Sequence, residues 1–343
     1  MDTSARRSVA VWLLVCCLMV FATLVVGGVT RLTHSGLSIV EWQPLVGTLP
    51  PLDDAAWQDV FAKYQRTPEY LKVNRGMALE EFKYIFWWEY WHRLLGRTIG
   101  VVFLLPLVWF WARGRLVRAL LLPLVGMFIL GGLQGAMGWY MVKSGLVDDP
   151  RVSAYRLTAH LGLAFVLFAW MLWTALGLLR PRASGPWSAA RRQLQRAGVA
   201  LVVLVFVMIL SGGLVAGLRA GLVYNTFPLM DGQFVPAAAF IARPLWRNFL
   251  YNPATVQFDH RLIGWSLALL VPAFWLWSRR VPLSPRAARA VVVLVAALAL
   301  QISLGIATLL WVVPVPLAAA HQAGALLLFG VVLWVNHELR VAN

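Results

Sequence analysis

The chain has 343 residues, enough for about two soluble domains, yet it is 60% hydrophobic and 13% charged, about half the ~25% charge of a soluble chain. That excludes an ordinary soluble protein and predicts an integral membrane one. The formal net charge of +16 does not point to nucleic acid, because the arginines cluster between apolar runs and no basic stripe interleaves with aromatics.

The first apolar run, Val9 to about Val26, follows Arg6-Arg7. It has a signal peptide's charge but no small-residue cleavage site after a short core, so a retained span is expected. Cys16 and Cys17 are adjacent within it and offer neither a loop disulfide nor a spaced metal pair. Runs of about 20 apolar residues cross ~30 Å of hydrocarbon at ~1.5 Å per residue. They are expected near 9–28, 87–111, 119–141, 156–179, 198–218, 259–278, 288–311 and 317–337.

Between the first two spans lies a long segment, 29–86. His34 reads there as a loop or interfacial histidine rather than a ligand. Residues 53–84 mix charge with Trp57, Phe61, Tyr64, Tyr70, Phe82 and Tyr84, which predicts amphipathic helices over the outer mouth, as a pocket lid or a plain interfacial cover. The second span opens with Glu89, His92 and Arg93, the fourth with His160, the sixth with Gln257, His260 and Arg261, and the eighth with His321. Small residues line the odd spans, as in Gly131-Gly132, Gly135 and Gly138 or Ser211-Gly212-Gly213 and Gly217. They suit close helix packing, or room for a flat macrocycle. Pro314 and Pro316 predict a rigid turn before the last span, and His337, near Glu338 and Arg340, is expected to be exposed.

Basic density in short loops sets orientation. One set of segments holds Arg6, Arg7, Arg113, Arg115, Arg118, Arg180, Arg182, Arg191, Arg192, Arg196, Arg279, Arg280, Arg286, Arg289 and Arg340, with only Asp2 and Glu338 as acids. This side, with both termini, is expected to be cytoplasmic, and the long segments 29–86 and 219–257 to face outward.

The chain also repeats itself. Gly27-Gly28 and Gly36-Leu37 recur as Gly212-Gly213 and Gly221-Leu222, and Pro44-Leu45 as Pro228-Leu229. His92-Arg93-Leu94-Leu95-Gly96 recurs as His260-Arg261-Leu262-Ile263-Gly264, Gln134 as Gln301, and Ala159-His160 as Ala320-His321. The order is the same in both halves, which predicts a parallel duplication. The expected fold is an all-α integral membrane protein whose eight transmembrane helices form two tandem pseudo-symmetric four-helix bundles, over 1–183 and 184–343.

From each of His92, His160, His260 and His321, the arginine at the cytoplasmic end lies 19 to 21 residues on, about 30 Å along a helix, so all four share one layer toward the outer face. Ionisable residues inside spans are costly and functional by default. Two imidazoles on facing helices hold a haem iron axially, whereas zinc needs three or four ligands. Haem is the better fit. A haem propionate is a candidate partner for Arg93 and Arg261, with interfacial snorkelling as the alternative. The halves are not identical: Glu89, one turn outward of His92, aligns with Gln257. A carboxylate can take or relay protons where an amide cannot, so the first half is the one equipped for proton chemistry.

The segments Gly27-Gly28-Val29-Thr30-Arg31-Leu32-Thr33, Ser35-Gly36-Leu37-Ser38, Glu41-Trp42-Gln43-Pro44, Gly47-Thr48-Leu49-Pro50-Pro51 and Glu89-Tyr90-Trp91-His92-Arg93-Leu94-Leu95-Gly96-Arg97, with those around His260 and His321, resemble the heme A synthase family of bacterial and mitochondrial inner membranes. The resemblance implies oxidation of the ring methyl of heme O to the formyl of heme A, by successive hydroxylations and loss of water. It implies a permanent haem b cofactor on His260 and His321, substrate or product haem on His92 and His160, and a catalytic role for Glu89. It further implies residence in the bacterial inner membrane, an electron-transfer partner the sequence does not name, and heme O synthase and cytochrome oxidase assembly factors as partners. Some members carry a cysteine pair in the first outer loop. This chain resembles the branch without it, which puts a thiol-based electron route there in doubt. Two other classes compete: a di-haem cytochrome b that takes electrons from quinol, and a haem carrier without turnover. Histidine spacing does not separate the three, while the Glu89/Gln257 difference and the resemblance favour the enzyme.

Overall fold

The computed structural model describes residues 1–41, 46–146, 150, 152–180 and 188–341. Trp42-Gln43-Pro44, the Pro44-Leu45 member of the repeat, and Arg182 lie outside the described residues. Eleven α-helices follow in chain order: α1 (Thr3–Leu32), α2 (Asp54–Tyr64), α3 (Pro68–Lys72), α4 (Leu79–Ala112), α5 (Arg118–Lys143), α6 (Ala154–Leu179), α7 (Ala189–Gly217), α8 (Asn248–Tyr251), α9 (Pro253–Ser278), α10 (Pro285–Leu310) and α11 (Val315–Glu338). Eight of them, α1, α4, α5, α6, α7, α9, α10 and α11, are long and apolar enough to cross a membrane. The protein is therefore an all-helical, multi-pass membrane protein. Among the described residues no strand occurs, only an isolated bridge between Met230 and Gln233.

Helix starts follow ordinary capping chemistry. Asn252, Ser284 and Ser188 accept hydrogen bonds from the first turns of α9, α10 and α7, and Pro253 and Pro285 take the first helical positions, where a missing N–H costs nothing. The helices run past the apolar windows at several ends. In α7 the polar turns after Ser188 stay helical, and α4 begins at Leu79 rather than near 87 because its first two turns bury Phe82, Ile85 and Phe86. Large apolar side chains such as Leu269 (74% exposed) and Leu300 (60%) cover the outer surface, as lipid contact requires.

The chain divides into two compact units, Met1–Cys17 with Phe165–Asn343, and Leu18–Ala164. In the first, α7 packs on α9 and α11, and α10 packs on the same two, closing a ring of four helices. The buried row of α7, Leu194, Leu201, Val205 and Ile209, recurs at helical spacing. Asn336 donates to the Gly198 carbonyl (2.9 Å), and a Cβ at Gly198 would come within 2.9 Å of its Oδ1, so small-residue packing and polar glue coincide. At the arginine-rich end Arg180 pairs with Glu338, and Arg191 donates to the Leu339 and Val341 carbonyls. His337, expected to be exposed, is 2% exposed and sits edge-on to Trp173, because the last turn of α11 is covered by this arginine network. Val312 and Val313, both at φ 59°, make the tight turn before α11; Pro314 caps that helix and Pro316 lies in its first turn, so the prolines start the helix rather than form the turn.

In the second unit α4 packs on α5, and α2 lies on the N-terminal part of α4. Trp57, Phe61 and Tyr64 of α2 join Phe82, Ile85, Phe86 and Tyr90 of α4 in one buried aromatic cluster. The amphipathic helices expected over 53–84 are thus present as α2 and α3.

Candidate haem seats and the Glu89 cluster

Each of the four histidines rests on a glycine of a neighbouring helix. A Cβ would approach the ring Cε1 to 2.5 Å at Gly27 (His92), 3.0 Å at Gly138 (His160), 3.3 Å at Gly212 (His260) and 2.8 Å at Gly305 (His321). The glycines therefore make notches for imidazole edges, a use more specific than general close packing. Gly305 was not among the small residues the sequence singled out, because a single glycine in a long apolar helix carries no local signal.

The notches hold rings with defined partners. His92 Nδ1 donates to the Thr23 carbonyl (3.1 Å). The Ser211 hydroxyl donates to the Met208 carbonyl and lies 2.8 Å from His260 Nδ1, so it accepts from that nitrogen. In both rings Nε2 keeps its lone pair and has no hydrogen-bond partner among the described residues, which is how a neutral imidazole is presented to a metal. His160 and His321 are held through Gln134 and Gln301, whose amides donate to the histidine carbonyls at 3.0 and 2.9 Å. The His321 ring turns Nδ1 to its glutamine (3.1 Å). The His160 ring is turned over, with Nε2 toward Gln134 and a buried Nδ1 that has no partner among the described residues. His92 and His160 lie within electrostatic reach of each other in one unit, as do His260 and His321 in the other. Among the described residues no group of three or more His, Cys, Asp or Glu is placed to hold a metal ion. Paired axial ligation of a flat iron macrocycle fits these residues.

The arginine after the first histidine of each pair is used in the same way twice. Arg93 Nη2 donates to the Ile39 carbonyl (2.8 Å) and Nη1 to the Glu41 carbonyl (3.3 Å). Arg261 Nη2 donates to the Tyr224 carbonyl (2.9 Å) and Nη1 to the Thr226 carbonyl (2.9 Å). Positions 39 and 41 plus 185 are 224 and 226, so the repeat extends to individual hydrogen bonds. It also explains His34: this exposed residue ends α1 at φ 55°, and its counterpart Arg219 ends α7 at φ 53°, so the position is a left-handed turn in both halves.

The difference lies beneath these arginines. Glu89, 2% exposed, accepts four hydrogen bonds: from Arg93 Nη2 (2.6 Å) and Nε (3.1 Å) on Oε1, and from Ser38 Oγ (2.7 Å) and Ile39 N (2.8 Å) on Oε2. Gln257 donates to the Tyr224 carbonyl (3.1 Å) and meets Arg261 at 3.5 Å. The same bridge from helix to outer loop is thus charged in one half and neutral in the other. Ser38 was legible only as part of a resembling segment; its contact with Glu89 spans 51 residues.

Similarity over the whole chain decides the family. Residues 10–333 match the COX15-CtaA family of cytochrome oxidase assembly proteins. The chain is 62% identical over 337 residues to the heme A synthase of Nitrosospira multiformis, covering 98% of this chain and 95% of that one. It is 55% identical over 340 residues to the heme A synthase of Nitrosomonas eutropha (98% and 95% covered), and 52% over 339 to that of Rhodospirillum centenum (99% and 90%). The chain belongs to the heme A synthase family. In this family member, Arg93 spends its guanidinium on Glu89 and the 39–41 loop, whereas Arg261 keeps a buried Nε that donates to nothing among the described residues.

Proposed function

We propose that this protein is a heme A synthase, oxidising the ring methyl of heme O to the formyl of heme A by successive hydroxylations and loss of water. The observation that carries the reading is the coincidence of four glycine-seated histidines with near-full-length similarity to proteins of that name. His260 and His321 hold a haem b cofactor, and His92 and His160 hold the substrate or product haem, so the half 1–183 binds substrate and the half 184–343 binds cofactor. A haem iron in such a seat supplies redox and oxygen chemistry when bound. The residues themselves do three things. The notches and Nδ1 partners orient the imidazoles. Glu89, fixed by Arg93, Ser38 and Ile39, places a negative charge one turn outward of His92. Arg261, through its spare Nε, is the stronger candidate of the two arginines for a haem propionate.

The protein sits in the bacterial inner membrane with both termini cytoplasmic and the haem seats toward the outer face, in keeping with the arginine-rich ends of its spans. Its partners are an electron-transfer protein, heme O synthase, which would deliver substrate, and cytochrome oxidase assembly factors that receive heme A. Glu89→Gln, which copies the second half at that position, should retain haem but lower heme A formation ~100-fold or more in membranes supplied with heme O. Undiminished heme A in that variant would remove Glu89 from the chemistry. His260→Ala or His321→Ala should strip haem b; unchanged haem b in both would reverse the assignment of the two halves.

A further inference from the structure

Glu69, in α3, has no part in the scheme above. A charged residue of an amphipathic outer segment ordinarily faces water, yet Glu69 is 5% exposed and its Oε2 is buried without a hydrogen-bond partner. Its neighbours Leu71 and Lys72 are exposed, so it lies one residue layer below the surface. The charge that reaches it is the negative charge of Glu89. Tyr64 of α2 is the third member: its hydroxyl accepts from Asn74 Nδ2 (2.7 Å), its ring meets Tyr70 at 5.8 Å, and it feels both carboxyl groups.

We propose that Glu69 is the proton-exchanging partner of Glu89, a positioning residue that takes a proton from the outer water or returns it and so balances the charge of the Glu89–Arg93 cluster. The inference rests on the function proposed above. Glu89 is paired with Arg93, and both its oxygens are occupied by donors. Among the described residues the Oε2 of Glu69 has no hydrogen-bond partner. With one proton on Glu69, the set Glu69, Glu89 and Arg93 is neutral; without it, the set carries one buried negative charge. Burial, with the Glu89 charge added, pushes the Glu69 carboxyl up to about 8, and the same influences raise the Tyr64 phenol. The groups that interact with it are Glu89 on α4 and Tyr64 on α2, with Tyr70 of α3 against the Tyr64 ring. The step assigned to Glu69 is proton transfer alone, COOH to COO⁻ with the proton passing to outer water, and its reverse.

Infrared spectroscopy of the carboxylic-acid C=O stretch, followed against pH on the purified full-length protein, tests the coupling without turnover. An absorption that titrates near pH 8 is expected, absent in Glu69→Gln, with a midpoint that falls in Glu89→Gln because the neighbouring charge has gone. A Glu69→Gln spectrum identical to wild type, or a midpoint indifferent to Glu89→Gln, overturns the proposal. In the activity assay the wild-type pH profile should have a limb near pH 8 that Glu69→Gln loses, with haem content unchanged, and that Glu69→Asp restores in part. A Glu69→Gln profile matching wild type overturns this role. If the wild-type protein makes no heme A, the proposed function fails, while the infrared result still decides whether the two carboxyls are coupled.

Discussion

At the residue scale, the proposed haem seats rest on small clearances. Gly305 leaves 2.8 Å between a would-be Cβ and the His321 ring, and Gly212 leaves 3.3 Å at His260. Adding a methyl at Gly305 must move the ring, whereas at Gly212 a displacement of a few tenths of an ångström relieves the contact. Gly305→Ala should therefore weaken haem retention ~10-fold or more, as loss of support around a ligand does, and Gly212→Ala should cost much less. Haem-to-protein ratios after purification decide this; equal retention in the two variants would mean that the notches do not position the rings. The four histidines, Glu89 and the two arginines were legible from position and repetition alone. The glycine partners, the Ser38 and Ile39 donors and the burial of Glu69 were not. Each depends on which helix or loop comes to lie alongside, and the glycine and donor partners are 16 to 65 positions from the residues they meet.

At the scale of elements, α4 is the organising helix. Its apolar run predicted a span from residue 87, but the helix extends outward through Leu79–Phe86, where one face carries Phe82, Ile85 and Phe86 and the other Glu80, Glu81 and Lys83. A hydropathy window averages those faces and sees no span, although an amphipathic helix needs only one of them to be apolar. Phe82 is fully buried between Phe61 (5.1 Å) and Tyr64 (5.0 Å), so it joins α2 to α4. Phe82→Ala should cost ~3–5 kcal/mol locally. Limited proteolysis should then cut within 53–78 much faster than in wild type, with haem on His260 and His321 unaffected, since those residues belong to the other compact unit. Unchanged resistance would show that α2 is held by something other than this cluster. Loss of haem from both seats would show that the two units do not act independently.

At the scale of the whole molecule, eight spans were readable because helices surrounded by lipid need continuous apolar runs and leave no other pattern to confuse with them. The duplication was readable as matching segments, and it persists as paired hydrogen bonds from Arg93 and Arg261 and paired left-handed turns at His34 and Arg219. What a duplicated chain cannot show from spacing alone is whether its halves do different work; in the proposed function, Glu89 against Gln257 carries that difference. The central claim is that one pair of histidines keeps a cofactor haem while the other handles a haem whose substituents change. Acid extraction of the haems from protein purified out of cells that make heme O, separated by chromatography and weighed by mass spectrometry, tests it most directly. The account predicts haem b together with heme O, heme A or a hydroxylated intermediate; two equivalents of haem b per chain, with no modified haem, would contradict it.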